Sequence, residues 1–295
     1  MSSFLRLEVR ALLELYLIPA VTALMPWPLG FRWLRFCSRF QFLYGAEWQA
    51  ALAQARNFVV MGDEKLWARQ FRLVKLVDHA DLYLSMTRSD RWLQRYVDGW
   101  DAWPHIEGGA VAVFIHWCPG FWSGRALRRC GAPGHSVIAP PNRRAMGGSY
   151  LAYWYSVLRM REFQRVNGRA SLSPPGIVRQ LLKALREQAG GKVWIGGMLD
   201  VPPGPNDPGE SVTVFGRAGF FPNGLIGVAK LAKVPVIMVT CGLDPRTGRR
   251  DLVVYGPFDP NTPGLLQQFV DNWQERVRDR SWGYFLWLAM PAWLR

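Results

Sequence analysis

The 295-residue sequence is poor in the residues that build metal sites and disulfide frameworks. It contains four histidines and four cysteines, and no two cysteines have C-x-x-C spacing. A structural zinc site needs such ligands at short, regular intervals, so none is predicted. The isolated cysteines Cys37, Cys118, Cys130 and Cys241 also argue against a disulfide framework, which favours a protein of the reducing cytosol.

Several catalytic and nucleotide-binding motifs are absent as well. The sequence has no G-x-S-x-G, no Walker A loop, no G-x-G-x-x-G and no H-E-x-x-H. Ser149 lies in Gly-Gly-Ser-Tyr-Leu, which lacks the closing glycine of a nucleophile elbow. These absences disfavour a serine hydrolase and a nucleotide-binding enzyme. No cofactor or metal ion is expected.

Acidic residues are scarce relative to basic ones. The chain has 22 acidic and 36 basic residues, six of them lysine and the other 30 arginine, for a net charge of +14. Arginine binds phosphate and carboxylate with two parallel hydrogen bonds, so three acidic partners fit: nucleic acid, anionic lipid or an acidic carrier protein. A nucleic-acid partner is disfavoured because the basic residues form no single stripe and no recognised module is present.

Long uninterrupted apolar runs are also missing from the N-terminal segment, residues 4–45. Residues 12–30 are mostly apolar, but Glu14 and three prolines make them too broken for a confident membrane-spanning helix, and no signal-peptide cleavage site follows. Arginines alternate with Trp and Phe between Trp27 and Arg39, a pattern typical of a segment lying in an anionic membrane surface. The alternative is a helical hairpin packed on the rest of the protein.

The remaining chain predicts an α/β fold. Helices are expected over 49–60 and 65–84, with a further helix capped by Ser89, and strands alternate with helices from residue 108 onward. We predict a mixed, mainly parallel sheet flanked by helices, with an N-terminal helical, membrane-associating region (1–100) and an α/β domain (101–295) that form one continuous globular unit. The predicted strands are 111–115, 135–139, 163–167, 192–198, 211–216, 234–242 and 251–256.

Two features near the C-terminus complete the predicted fold. Thr262 and Pro263 predict the start of an amphipathic helix, with an N-cap and a proline at the first position. The aromatic tail over 282–295 fits either a membrane interface or a segment that completes the core.

His116 is the first candidate catalytic residue. It follows the buried strand 111–115 and precedes a Pro-Gly break, so it lies at the carboxyl end of a strand, where open α/β sheets bind ligands. Imidazole is the side chain best suited to accept a proton near neutral pH. A histidine that only caps the strand is the structural alternative.

Other polar residues follow neighbouring strands. Asp200 follows strand 192–198, Arg143 follows strand 135–139, and Arg125 and Arg159 lie on the intervening helices. Because loops after parallel strands open on one side of a sheet, His116, Arg143 and Asp200 are expected to converge. A base beside fixed positive charges suits acyl transfer from a thioester, although a solvated surface charge is the alternative for each arginine.

In this arrangement the chain resembles the lipid A biosynthesis (late lauroyl/myristoyl) acyltransferases, a family of the lysophospholipid acyltransferase-like superfamily. The resemblance covers most of the chain and is best from about residue 108 to 260. It depends on the order and spacing of four features: a strand ending in His116, Asn142-Arg143 leading a helix, Met198-Leu199-Asp200 before a Pro/Gly loop, and 214–224 leading into 227–232 and the strand 234–240.

The resemblance implies an enzyme on the cytoplasmic face of a bacterial inner membrane. Its donor would be acyl carrier protein or acyl-coenzyme A, its acceptor a hydroxyl or amine of a lipid such as lipid A, and neither nucleic acid nor a cofactor would be involved. Arg125, Arg143 and Arg159 would bind substrate. An acyl groove would be lined by Trp117, Phe121, Trp122, Tyr150, Tyr153, Trp154 and Tyr155.

The chain departs from the family at one position. The family motif is a histidine, four residues and then Asp or Glu, but here Phe121 follows His116 at that spacing. The usual acid orients the imidazole, so Asp200 or the backbone is expected to orient His116 instead. A Cys118 nucleophile and a non-catalytic lipid- or carrier-binding homologue are the alternatives.

Overall fold

A computed structural model describes residues 3–118, 120–129, 132–173, 176–186, 193–204 and 209–294. It has an α/β architecture in which helices flank a six-stranded mixed sheet. The helices are α1 (Ser3–Ala11), α2 (Ile18–Ala23), α3 (Trp27–Cys37), α4 (Gly45–Ala55), α5 (Glu64–Thr87), α6 (Asp90–Gln94), α7 (Ser123–Arg129), α8 (Tyr150–Asn167), α9 (Ile177–Arg186), α10 (Gly224–Ala232) and α11 (Leu265–Asp279). The strands are β1 (Val97–Asp98), β2 (Ala110–Phe114), β3 (Gly134–Ser136), β4 (Trp194–Met198), β5 (Gly209–Val214), β6 (Arg217–Pro222), β7 (Val236–Leu243) and β8 (Arg250–Phe258).

The large sheet has the strand order β1-β8-β7-β2-β4-β3, and only the β7–β8 pair is antiparallel. This confirms the predicted mixed, mainly parallel sheet. The central strands β2 and β7 are mostly apolar in sequence. Every residue of β7 and the first four residues of β2 are buried, as expected for strands covered on both faces. Buried apolar residues from Ile18 to Trp293 form one continuous core.

The predicted strand 163–167 is wrong, because these residues are the last turns of α8. The Ser149 side chain caps the start of this helix and Gly168, in the left-handed conformation, ends it. Glu162 is buried and accepts hydrogen bonds from Ser85 and Arg165. These contacts stabilise a helix over residues whose local apolar pattern alone indicated a strand.

Two predicted boundaries also differ from the structure. The strand predicted over 211–216 is the first half of a hairpin, since Phe215 and Gly216 both have positive φ and form a two-residue turn between β5 and β6. Helix α11 begins at Leu265 rather than at Thr262, and Gly264 in the left-handed conformation precedes it.

The N-terminal segment packs on the protein as a broken helical hairpin. A π-helical stretch, Leu12–Leu17, joins α1 to α2 just before Pro19, whose nitrogen carries no hydrogen for the helix. The carbonyl of Leu15, four residues before Pro19, instead accepts a hydrogen bond from Tyr83 at 2.7 Å. Trp27 and Phe31 are buried in the core.

The outer surface of the same segment is apolar. Half of the large apolar side chains that are exposed in the described residues belong to positions 4–42. Among the helices of the described chain, none has the length and apolar character needed to cross a bilayer.

The aromatic tail completes the core. Tyr284, Trp287, Met290 and Trp293 are fully buried, and two 3-10 turns, Ser281–Gly283 and Trp287–Trp293, fold the chain back on itself. Of the two alternatives for this tail, the structure shows the segment that completes the core.

A buried ion pair joins the helical and sheet regions. Arg250 of β8 binds Asp81 of α5, and both side chains are essentially inaccessible to solvent. The guanidinium carbon lies 4.4 Å from the ring centroid of Trp27 and 4.1 Å from that of Trp122, so two indole faces enclose the cation. This contact joins β8 to α5, to Trp27 at the start of α3 and to Trp122 just before α7.

Candidate active site

The register of two parallel strands brings His116 and Asp200 together. Phe114 of β2 is paired with Met198 of β4, and each candidate residue lies two positions beyond its strand. The amide of Leu199 donates to the carbonyl of Phe114 at 2.8 Å and extends the pairing past the strand ends. The predicted convergence of His116 and Asp200 is therefore present and has a simple cause in the sheet.

Asp200 holds His116 through two hydrogen bonds. His116 Nδ1 lies 2.9 Å from one carboxylate oxygen, and the His116 backbone amide donates to the other at 2.8 Å. The Asp200 side chain is fully buried, whereas 30% of the His116 side chain is exposed. Because a carboxylate only accepts hydrogen bonds, Nδ1 carries the hydrogen and Nε2 of the neutral ring keeps its lone pair.

The same pairing sets the proton affinity of the imidazole. Burial alone would lower the pKa of His116, but the negative charge of Asp200 and its hydrogen bond outweigh burial, so the pKa is raised above its usual value. A raised pKa makes the ring a stronger base. A carboxylate, a histidine and a free Nε2 are the elements of a general-base dyad.

The C-terminal tail fixes the loop that carries His116. The amide of Phe285 donates to the His116 carbonyl at 2.9 Å, and the amide of Cys118 donates to the Gly283 carbonyl at 2.7 Å. The intervening Tyr284 is buried near Asp200, since burial and then the Asp200 charge raise its pKa well above the usual value. The His116 loop and the C-terminal tail are thus paired through backbone hydrogen bonds, as two short antiparallel strands would be.

His116 borders a large apolar cavity of about 1280 Å³. This exceeds the roughly 300–1,000 Å³ of a typical small-molecule site. The cavity lies against the ends of β2 and β4 and is walled by α8, α9 and α10. Its apolar walls include Met160, Phe163, Ile177, Leu181, Leu225 and Val228. The groove expected near His116 is therefore present.

Two ion pairs line one part of this cavity. Lys75 binds Glu47, and Arg159 binds Asp78 through Nη1 at 2.9 Å and Nη2 at 3.0 Å. All four residues line the cavity. Asp78 and Lys75 also act on the pKa of His116, in opposite directions, which places them near the imidazole.

Phe121, the residue five positions after His116, is buried. Its ring centroid lies 4.3 Å from that of Phe163, and the Arg159 guanidinium carbon lies 5.2 Å from it. Trp117 is also buried in the cavity wall, where its indole donates to the carbonyl of Arg280. Both residues therefore line the cavity as expected.

The other predicted lining residues lie elsewhere. Trp122 packs against Arg250, and Tyr150, Tyr153, Trp154 and Tyr155 are outside the residues that border the cavity. Helix α8 contributes a different face, formed by Ser156, Arg159, Met160, Phe163 and Asn167.

All three predicted substrate-binding arginines have partners within the described chain, and that of Arg159 is Asp78. Arg125 donates to the carbonyls of Ser85 and Arg88 and pairs with Asp90, so it holds the end of α5. Arg143 is exposed, lies over the ring of Tyr150, and is not among the residues that border the cavity beside His116. Of the three, Arg159 alone borders the cavity.

Cys118 has the properties of a packed core residue. It is buried, and burial raises the pKa of its thiol well above the usual value, so little thiolate forms. Within the described residues, no group of three or more His, Cys, Asp or Glu side chains is arranged to hold a metal ion. Cys130 lies outside the described residues.

Sequence reasoning missed Lys75, Asp78 and Tyr284. Lys75 and Asp78 lie on one face of α5 at i, i+3 spacing, but nothing local shows that this face meets a strand end. Tyr284 belongs to a tail whose docking position is set by tertiary packing. Comparison of the sequence with protein-family models and with curated proteins found no match.

Proposed function

We propose that the protein is an acyltransferase. It transfers an acyl chain from an acyl carrier protein or acyl-coenzyme A thioester to a hydroxyl or amine of a lipid-type acceptor. The observation that carries this proposal is the His116–Asp200 pair at the wall of an apolar cavity of about 1280 Å³. A base beside apolar space is what a reaction on a long acyl chain requires.

In the proposed reaction His116 Nε2 takes the proton of the acceptor hydroxyl or amine as that group attacks the thioester carbonyl carbon. The new C–O or C–N bond gives a tetrahedral oxyanion, which collapses as the C–S bond breaks. The imidazolium returns its proton to the leaving thiolate. Asp200 stabilises the imidazolium and fixes the ring orientation throughout, a task that the family assigns to the acid missing at Phe121.

The surface supports a membrane-bound location for this activity. We place the protein on the cytoplasmic face of a bacterial inner membrane, peripheral or monotopic, with the exposed apolar residues of positions 4–42 in contact with lipid. The net charge of +14 would attract anionic lipids and an acidic carrier protein alike. Lipid A is one acceptor that the family resemblance suggests.

A second candidate function is a non-catalytic lipid- or carrier-binding protein with the same fold. The observation that favours it is Phe121, which places a buried ring over Phe163 where an active homologue would have an acid. In that case His116 and Asp200 would only fasten the ends of β2 and β4 to each other.

The deciding experiment measures product with purified protein, acyl donors and a bacterial lipid extract, analysed by mass spectrometry. We expect a lipid heavier by one acyl chain, and a rate roughly 10²–10⁴-fold lower for His116→Ala, the usual contribution of a positioned base. His135→Ala is the matched control, since this ring bonds to the Ala170 carbonyl away from the cavity. Binding of acyl donor without any product would favour the second candidate.

A further inference from the structure

A second cavity, of about 450 Å³, lies between α4 and the first turns of α5. It shares no lining residue with the His116 cavity. Its charged walls are three cations and one anion, and the anion, Glu64, is bound to Arg56 through two hydrogen bonds of 2.7 Å. Lys65 and Arg72 are left without a carboxylate partner in the described chain.

Arg72 is the unusual member of this wall. Only 4% of the residue is exposed, yet among the described residues its guanidinium makes one hydrogen bond, from Nε to the Ser38 carbonyl at 2.9 Å. Nη1 is buried and has no acceptor within the part of the chain that the structure describes. The guanidinium carbon lies 5.2 Å from the ring centroid of Trp48, which offsets part of the lost hydration. A buried cation with a vacant donor is costly unless an anion completes it.

Neighbouring arginines add to the same positive region. Arg69 Nη2 donates to the Arg35 carbonyl at 3.4 Å. Burial lowers the pKa of Arg69, and Arg39 and Arg35 lower it further. Burial and then the charge of Arg69 lower the pKa of Arg72. In the described chain none of these four arginines forms an ion pair with an acidic side chain. Four like charges therefore stand close together without internal compensation, which favours binding of an anion.

Exposed aromatic rings border this basic cluster. Phe36, Phe40 and Phe42 are 49%, 39% and 62% exposed. The rings of Phe36 and Phe40 meet edge to face with centroids 5.3 Å apart, and those of Phe40 and Phe42 stack with centroids 5.8 Å apart. Gln41, between the last two, lines the cavity. A ladder of exposed rings beside arginines matches the boundary between acyl chains and headgroups of a bilayer.

We propose that this cavity binds the phosphate group of an anionic lipid headgroup, with Arg72 as its central ligand and the phenylalanine ladder in the adjoining acyl region. Arginine suits this ligand because its planar fork meets two phosphate oxygens at once. The site is separate from the His116 chemistry and does not depend on acyl transfer.

The test compares Arg72→Met with the wild-type protein in binding to vesicles of mixed phosphatidylcholine and phosphatidylglycerol. Methionine keeps an unbranched apolar stem and removes the charge. We expect binding at least about tenfold weaker, which corresponds to the loss of one charge-assisted hydrogen bond. Arg161→Met, which removes an exposed arginine of α8, is the matched control and should bind as wild type does.

Thermal unfolding provides a second measurement. Without lipid, Arg72→Met should melt at a higher temperature than wild type, because the variant no longer buries an uncompensated cation. Short-chain phosphatidylglycerol should raise the melting temperature of wild type and of His116→Ala, but not of Arg72→Met. The His116→Ala result separates this site from the proposed reaction.

Three outcomes would overturn the proposal. A lower melting temperature for Arg72→Met together with unchanged vesicle binding would make Arg72 a structural residue. Equal stabilisation of wild type by inorganic phosphate and by the short-chain lipid would indicate a free-phosphate site. Loss of binding to acyl carrier protein with vesicle binding intact would indicate a carrier-protein surface.

Discussion

Replacing Asp200 by asparagine tests the proposed dyad most directly, because the change preserves shape and removes one acceptor. Asp200 accepts two hydrogen bonds, one from the His116 amide at 2.8 Å and one from His116 Nδ1 at 2.9 Å. Asparagine has a single acceptor oxygen. If that oxygen stays with the backbone amide, the asparagine NH₂ group faces Nδ1 and forces the hydrogen onto Nε2, which then cannot act as a base.

The expected magnitude follows from this change of tautomer. Wrongly tautomeric imidazole in a serine-protease triad lowers kcat by about 10⁴-fold, and a positioned base contributes about 10²–10⁴-fold in general. We therefore expect Asp200→Asn to lower kcat by about 10²–10⁴-fold. At 1.36 kcal/mol for each factor of ten, this is about 3–5 kcal/mol of transition-state stabilisation.

The pH profile gives a second readout with a defined sign. The base acts when His116 is neutral, so activity rises as pH passes its raised pKa and then levels off. Asp200→Asn removes the charge that raises the pKa and leaves burial, which lowers it, so the acidic limb should move to lower pH. In the folding equilibrium the raised pKa adds stability below about pH 6.5, which is lost as pH rises through the folded-state value.

The assay is the initial rate of product formation against pH for wild type, Asp200→Asn and Asp101→Asn. Asp101 is exposed and accepts a hydrogen bond from Gln94, so Asp101→Asn controls for the loss of one negative charge from the protein. Wild-type kcat with an unmoved acidic limb in folded Asp200→Asn would refute the dyad.

Three further predictions concern the core, the cavity and the thiol. Arg250→Met should lower the free energy of unfolding by about 3–5 kcal/mol in urea titrations, because it leaves a buried carboxylate unpaired, whereas Arg249→Met breaks an exposed pair and should cost less than about 1 kcal/mol; equal effects would contradict this account. Met160→Trp should fill part of the cavity and shift the preferred donor to shorter acyl chains, with Tyr153→Trp on the same helix as control; an unchanged chain-length profile would show that the acyl chain lies elsewhere. Cys118→Ala should retain acyl transfer, since the thiol is buried with a raised pKa, and a covalent acyl-protein in intact-mass spectra that disappears in this variant would show the opposite.

The parts of the fold that the sequence predicts are those where one physical factor dominates. The apolar strands β2, β4 and β7 begin within about two residues of their predicted starts, because buried central strands need continuous apolar runs. The hairpin strand β6 was missed because its turn depends on Phe215 in the left-handed conformation, which no local signal indicates. The strand predicted over 163–167 is helix because Glu162 is held by Arg165 one turn later and by Ser85, which is distant in sequence.

The residues of the candidate site also fall into a predictable and an unpredictable group. His116 and Asp200 were predictable because both lie just beyond parallel strands, so their distance depends on register alone. Arg125 and Arg143 were not, since a long guanidinium side chain takes whichever carbonyl, carboxylate or ring lies within reach. Tyr284 depends on where a tail of 3-10 turns docks, which is a property of the completed core.

Phe121 has a coherent place in this site even though the acyltransferases that the sequence resembles have an acid at this position. The orienting carboxylate comes from Asp200 on the neighbouring strand end, so position 121 is released from that task. Its ring instead lies beneath Arg159, whose charge Asp78 neutralises. An acid at position 121 would meet Arg159 and compete with Asp78 for it. The phenylalanine thus keeps the cavity wall apolar and leaves the Arg159–Asp78 pair intact beside His116.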